Sequence, residues 1–459
     1  MEILESVLLC DTQVGRSPGS WVDHFSPTDS NQILFRISSK LSDAHNAIEA
    51  ATGIRAKFNR NRQESFSGKD LDKIQQELLD HKDRLFDIVR IESGRTINDF
   101  SVEFDSTIAY IQSLRDHEDF YGRYSSRGIC VVVGSSVWPI FYSIQFTLAN
   151  FVVGNPVILK PSEKTTKIAL EIARILQGST VSPISIQVVV GDKEVGRRLI
   201  SHPKVDIVIF QGSYEVGMRI RQDVLHIPSR EVLLYLGSKN VTVLNRGISS
   251  QLVDTVLEDA FLGAGQNCLS SPLLFIHDEY FDGVVEELLE GVDRLTKNIA
   301  KTKDALGPLQ DQGSVDRYLK YSSVIEREGA EMIFKGKRLA EQSCFVTPTV
   351  ATFRDLNFEK IREMVVFHQE VLGPSLTIIK FDDMVEIARG FEALSYGLGC
   401  SIWSEKISVD FSDLAERHFG RVVRNGSLVR PDVWISPLAR KKSGNHGRLG
   451  QRLLEQISR

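Results

Sequence analysis

Ile207-Val208-Ile209-Phe210-Gln211-Gly212-Ser213-Tyr214-Glu215-Val216-Gly217 packs a strand, a glycine turn and a helix start into one short stretch. Four consecutive apolar residues with no polar alternation mark a strand covered on both faces, and Ser213 before Glu215 is a helix N-terminal signal. The same grammar recurs nearby. Val157 to Leu159 is followed by Ser162 with Lys164-Thr165-Thr166, and Ile186 to Val190 is followed by Asp192 before Glu194. Ile129 to Val133 opens the series just after Gly128. Strands alternating with helices require crossover connections, and these put the strands in a parallel sheet.

Upstream, residues from Asp43 to about Phe120 are helical in pattern, with Leu71, Ile74, Leu78 and Leu79 marking one apolar face. Downstream, a second alternating series begins with a helix from about Ser250 to Leu262. It continues with strands at Leu273 to Ile276, Thr377 to Phe381 and Gly399 to Trp403. The expected fold class is α/β, with two α/β domains joined near Gly237. No internal repeat or low-complexity tract interrupts them.

The chain has 459 residues, 42% hydrophobic and 25% charged, with a formal net charge of −5. That balance supplies a large core and argues against a nucleic-acid footprint, which needs a basic face. Arg440-Lys441-Lys442, flanked by Arg430 and Arg448, is the one cluster of positive charge and reads as a solvated face. The five cysteines, Cys10, Cys130, Cys268, Cys344 and Cys400, form no CxxC pair and no zinc-ligand spacing, so a reducing compartment and no metal are expected. The N-terminus lacks the basic flank and apolar run of a secretory signal. The most apolar stretch, Ile140 to Leu159, contains Gln145, Asn150, Gly154, Asn155 and Pro156, so it reads as a buried helix feeding a strand. A cytoplasmic protein is expected, with no membrane and no nucleic-acid partner.

A dinucleotide needs backbone N–H groups and a helix N-terminus for its pyrophosphate. The G-x-G-x-x-G fingerprint is absent, and Gly191 to Gly196 is spaced too widely to replace it. Chemistry concentrates instead at Gly265-Gln266-Asn267-Cys268, where a helix runs into a cysteine. Around it stand Leu159-Lys160-Pro161-Ser162-Glu163, Phe210-Gln211-Gly212-Ser213, Leu236-Gly237-Ser238-Lys239 and Glu370-Val371-Leu372-Gly373-Pro374.

In order and approximate spacing, from about Gly128 to Gly450, these segments resemble the aldehyde dehydrogenase superfamily. The Gly212 to Gly217 turn and Ser443-Gly444-Asn445-His446 are closest in flavour to succinylglutamate semialdehyde dehydrogenase. The resemblance implies a Rossmann-type NAD-binding domain and a catalytic domain carrying Cys268. It implies that the Gly212, Ser213 and Gly217 turn lies against the NAD pyrophosphate. It further implies that Lys160 and Glu163 reach the adenine ribose, and that Glu370 grips the nicotinamide ribose. Residues 1–115 and 129–237 would form the NAD-binding domain and 238–424 the catalytic domain. Residues 116–128 and 425–459 would form an oligomerisation element of a homodimer or other homo-oligomer, with Gln451 to Ile457 helix-like where the family uses a strand.

The family's chemistry is attack of a cysteine thiolate on an aldehyde, hydride loss to give a thioester, and hydrolysis helped by a general base. Two helper positions depart from the pattern. Counting from Pro139, fifteen positions before Gly154, Val137 stands where the family's oxyanion Asn belongs; Tyr235 stands where its base Glu belongs. Valine has no donor, and a phenol with a pKa near about 10 is a poor base at neutral pH. Ser136, Gln211 and Leu372 also replace the family's Trp, Thr and aromatic, and Ser436-Pro437-Leu438-Ala439 lacks the late pair of glycines. One lost oxyanion donor typically costs about 10²–10³ in rate, and one lost base about 10²–10⁴. Two readings follow. One is NAD-dependent oxidation of a small aldehyde or semialdehyde through a Cys268 thioester, impaired, with water or coenzyme A as acceptor. The other is a catalytically degenerate relative acting as a binding or assembly protein. Ester or thioester cleavage by Cys268 is a third, minor reading. His368 reads as a surface or supporting residue rather than a replacement base.

Overall fold

The computed structural model describes residues 2–5, 20–60, 66–179, 186–247, 249–299, 306–405, 409–430, 439–445 and 450–458. Cys10, most of the 436–439 run and His446 lie outside them.

Two parallel sheets organise the chain. The first has five strands in the spatial order Ile186–Val188, Val157–Lys160, Ile129–Val133, Val205–Gln211, Glu231–Tyr235, and every pair is parallel. Numbered along the chain, that order is 3-2-1-4-5. The direction of winding therefore reverses between Ile129–Val133 and Val205–Gln211, and the crevice beyond their C-terminal ends is where such sheets bind ligands. Alternate side chains explain the burial on both faces. Cys130, Val132 and Ile209 pack with helices Pro139–Val152 and Thr166–Ser179, whereas Ile129, Val131 and Val208 pack with Leu41–Arg60, Lys193–Ile200 and Tyr214–Val224.

The second sheet runs Glu331–Phe334, Thr349–Phe353, Ser375–Phe381, Leu273–His277, Val241–Asn245, Gly399–Ser404, Arg421–Arg424. It is parallel except for its antiparallel edge strand Glu331–Phe334. Residues 236–240 carry the chain from the last strand of the first sheet into the first strand of the second. A small N-terminal sheet pairs Ile33–Ser39 with Glu2–Leu4 and Ser20–Phe25.

The helical N-terminal region resolves into Leu41–Arg60, Gly68–Asp80, Lys82–Ser93 and Ile97–Asp116. Leu71, Ile74 and Leu78 are buried as expected, but Leu79 is 42% exposed. Eight residues beyond Leu71 the helix has turned past the apolar face, whereas seven residues bring Leu78 back onto it. The helix expected at Ser162 starts only at Thr166, because Ser162 spends its hydroxyl on Lys164 N–H (3.3 Å) in a preceding turn.

Residues 116–128 hold a 3-10 turn, Glu118–Arg123, and the C-terminal helix Gly450–Ile457 folds back on its own chain. Leu453, Leu454 and Ile457 are buried in the core that contains helix Pro139–Val152, and Asn155 Nδ2 donates to the Ile457 carbonyl (2.8 Å). Among the described residues, no helix is long and apolar enough to cross a membrane.

Candidate active site

Cys268 is placed by a sharp loop. Helix Ser250–Phe261 ends, and Gly263 (φ 62°), Ala264 (φ 56°) and Gly265 (φ 66°) all turn left-handed. For Ala264 this conformation costs roughly 1–2 kcal/mol. At Gly265 only glycine fits, since a Cβ would overlap the Gly373 carbonyl. Gln266 holds the turn. Its Nε2 donates to the carbonyls of Gly263 (3.0 Å) and Pro308 (3.1 Å), and its Oε1 accepts from Gln310 N (3.0 Å). Asp99 accepts from Gly263 N (2.6 Å). The Cys268 carbonyl receives Ser238 Oγ (2.5 Å) and Asn240 Nδ2 (2.9 Å). Asn240 also donates to Ser270 O and accepts from Gly399 N, so one buried amide ties the thiol loop to two strands. An unfavourable conformation persists where its surroundings over-determine it.

The thiol is 9% exposed, and its Sγ lies 3.6 Å from the Tyr142 hydroxyl. Tyr142 sits one turn into helix Pro139–Val152, stacked on Phe146 (5.8 Å). That helix starts from Trp138, itself left-handed (φ 44°, ψ 59°). Its first N–H groups are capped from a distance, because Glu103 Oε1 accepts from Ile140 N (2.6 Å) and Phe141 N (3.1 Å). Arg95 Nη1 meets Glu103 Oε2 at 3.1 Å, and Arg95 Nη2 donates to the Ser136 carbonyl (3.3 Å). Burial pushes the Glu103 carboxyl up, with the Arg95 guanidinium pulling it back. Ser136 Oγ donates to Gln310 Oε1 (2.8 Å).

Val137 is buried with its N–H on Ser135 Oγ (3.0 Å). Tyr235 is 1% exposed, its ring 4.9 Å from Phe146. Tyr235 thus stands in an aromatic cluster. Both ring nitrogens of His368 are engaged, with Ser395 Oγ (2.9 Å) and the Ile361 carbonyl (3.0 Å), so it supplies no base. Burial pushes the other described thiols up: Cys344 to about 11, and Cys130 and Cys400 further.

On the crevice side, Val133, Gly134, Lys160, Glu163, Gly196 and Phe210 line a cavity of about 400 Å³. It opens where the winding of the first sheet reverses. Lys160 Nζ and Glu163 Oε1 pair across its lip (2.5 Å). A Cβ at Gly212 would overlap the Phe210 ring, and Ser213 Oγ caps the next helix through Val216 N (3.4 Å). Gly217 has a packing role, because the Leu236 side chain occupies the place its Cβ would take. Glu370 docks on the interdomain crossing, its Oε1 accepting from Ser238 N (2.7 Å) over the bare Cα of Gly237. Lys239, next in that crossing, turns into the second domain and donates to Tyr321 OH (2.5 Å), and burial pushes its ammonium down to about 7. Gln211, 6% exposed, has a buried Oε1 with no hydrogen-bond partner among the described residues. A larger cleft of about 770 Å³ lies along the outer side of helix Ser250–Phe261, bordered by Asp99, Glu258 and Arg430, and Cys268 is not in its lining. Volume is therefore a poor guide to the chemistry here.

The structure brings Cys268 and Tyr142 together, places Tyr235 against Phe146 in the middle of helix Pro139–Val152, leaves Val137 buried just ahead of that helix, and gathers Lys160 and Glu163 in the crevice. Sequence reasoning missed Tyr142, hidden in an apolar run. Set among Phe141, Ser143 and Phe146, its hydroxyl carried no distinguishing local signal.

A thiol loop fixed by buried hydrogen bonds and the crevice of a doubly wound sheet are the two features that define this class of fold. The chain belongs to the aldehyde dehydrogenase family, whose model matches residues 15–459. It is 26% identical over 358 residues to a betaine aldehyde dehydrogenase of Vibrio vulnificus, covering 73% of this chain and 72% of that one. It is 29% identical over 344 residues to 1-pyrroline-5-carboxylate dehydrogenase 2 of Bacillus subtilis, covering 71% and 64%. Its fold matches Escherichia coli lactaldehyde dehydrogenase with a TM-score of 0.87 at 21% identity, over 100% of this chain and 98% of that one. It also matches a 3,6-anhydro-L-galactose dehydrogenase solved in complex with NAP, with a TM-score of 0.87 at 20% identity and the same coverage.

Proposed function

We propose that the protein oxidises a small aldehyde or semialdehyde with NAD through a thioester on Cys268, and that release of the acyl group is its slow step. The observation that carries this reading is the thiol loop. A left-handed alanine, a glycine-only turn and the Gln266 amide together hold Sγ beside a hydroxyl and one domain crossing away from the crevice. The cofactor is NAD. The cavity fits it, with Lys160 and Glu163 at the lip for a ribose and Gly134 and Phe210 on its wall, and the Gly212-Ser213 turn for the pyrophosphate follows directly on from Phe210 and Gln211. A carboxylate at Glu163 disfavours a 2′-phosphate. Bound there, NAD supplies the hydride acceptor that makes the thioester possible.

The chain's own groups do the rest. Cys268 Sγ forms the bond to the carbonyl carbon. Glu370, fixed by Ser238 N–H, is the residue for the nicotinamide ribose. Tyr235 offers no carboxylate to activate water, so the thioester persists until water or a thiol such as coenzyme A takes it. The chain works as a homodimer or other homo-oligomer, with the boundary between NAD-binding and catalytic domains near residue 237.

Intact-mass measurement after incubation with NAD and a panel of aldehydes, including succinic and glutamic semialdehydes, tests this. An acyl mass on Cys268, absent in Cys268→Ala, is the expected result. NAD binding without any adduct would favour the second reading, a degenerate relative kept for binding or assembly, which the valine and tyrosine at the helper positions support.

A further inference from the structure

We propose that the Tyr142 hydroxyl is the oxyanion donor of this site, taking the role that Val137 lacks the chemistry to fill. The inference rests on aldehyde addition at Cys268 but is independent of hydride transfer. Tyr142 Oη lies 3.6 Å from Sγ, and the oxygen of an aldehyde adduct lies two bonds from Sγ. A hydroxyl at that distance reaches such an oxygen with a small swing of the adduct, and hydrogen bonds of this kind tighten only when the reacting group arrives. The donor is preorganised. Its ring is 6% exposed, stacked on Phe146 and edge-on to Phe141 (5.2 Å), on a helix whose residues are all buried and whose first turn Glu103 anchors. Burial among aromatic rings also lowers the local polarity, which strengthens a hydrogen bond to a developing charge.

The step balances simply. Sγ forms a bond to the carbonyl carbon, the C=O π pair moves onto oxygen, and the thiol proton ends on that oxygen. Tyr142 donates a hydrogen bond throughout and loses no proton. Neither cofactor nor oxidant is needed, so the adduct forms in the protein alone.

The test is protection of Cys268 from iodoacetamide by propanal, without NAD, in the full chain and in Tyr142→Phe. Alkylation at Cys268 is read by peptide mass, with the rate in the absence of propanal normalising any change in thiol reactivity. Phenylalanine keeps the ring that stacks on Phe146. Propanal is expected to slow alkylation of the native chain, and Tyr142→Phe to need about tenfold more propanal for the same protection. Equal protection in both proteins would overturn the assignment, and so would no protection in the native chain. If protection depends on Tyr142 while NAD and propanal yield no NADH, the donor role stands and the oxidation reading falls.

Discussion

Removing the Glu103 carboxylate should unseat the helix that carries Tyr142. The group is fully buried, caps Ile140 and Phe141 N–H, and faces Arg95, itself 9% exposed. Glu103→Ala leaves a buried guanidinium without its partner, a change worth about 3–5 kcal/mol. It also uncaps two backbone donors. At about 2 cal/mol/K of unfolding entropy per residue, 459 residues give about 1 kcal/mol/K. The melting temperature should therefore fall by about 3–5 °C. In the double variant Arg95→Met/Glu103→Leu no charge is stranded, and replacing a whole buried pair by apolar groups is often close to neutral. Its loss should be limited to the two uncapped donors and to the Ser136 carbonyl. The assay is scanning calorimetry of the two single variants and the double, read as a cycle. A double variant that loses as much as the two singles combined would refute the reasoning, because the pair would then not be coupled.

Asp259 gives a pH signature. Burial pushes its carboxyl up to about 6 while Ser427 Oγ and the N–H groups of Leu428 and Val429 bond to it. A raised folded pKa means the folded state holds the proton longer. The stability it contributes is present below about 4 and lost as pH rises through about 6. Asp259→Asn should flatten that part of the melting profile and leave the portion above it, where Glu92 (about 8) continues the fall, unchanged. Gly265→Ala should cost about 1–2 kcal/mol from its left-handed φ alone, and more from overlap with Gly373 O, and should slow Cys268 alkylation at unchanged secondary structure by circular dichroism. Tyr235→Glu should lower the melting temperature rather than speed deacylation, since a carboxylate would be buried against Phe146; faster thioester hydrolysis at an unchanged melting temperature would contradict this.

The parallel sheets were legible because both-face burial writes unbroken apolar runs such as Ile207 to Phe210, and the turns because Ser213 and Asp192 cap the helices they precede. The loop that carries Cys268 was legible for a local reason too: Gly265 and Gln266 shape it within three residues of the thiol. What could not be read were contacts between segments far apart in sequence. Glu103 caps a helix 37 residues on, Tyr142 meets a thiol 126 residues on, and Gln266 pins residue 310. A one-dimensional pattern shows Glu103 as a charge on a helix and Tyr142 as one aromatic among several. Gly217 fits a phosphate turn by its spacing, and nothing in the sequence signals that its bare Cα also accommodates the Leu236 side chain.

The helper positions and the nucleophile are held by different parts of the structure, and this decides what their loss can do. The Cys268 loop is fixed by Gln266, Ser238, Asn240 and Asp99, none of which touches residue 137 or 235 in the bonds that hold it. On the function proposed above, valine at 137 and tyrosine at 235 therefore withhold a donor and a base without relaxing the geometry of the thiol. The cost falls on rates of particular steps, acylation through a missing donor and deacylation through a missing base, and not on the capacity to form the covalent bond. Tyr142 acts on the first of these steps only. A protein of this design should accumulate its thioester, because the step with a substitute donor outruns the step whose base position is filled by a buried phenol. Burst formation of one NADH per Cys268 followed by slow turnover would be the kinetic form of that imbalance.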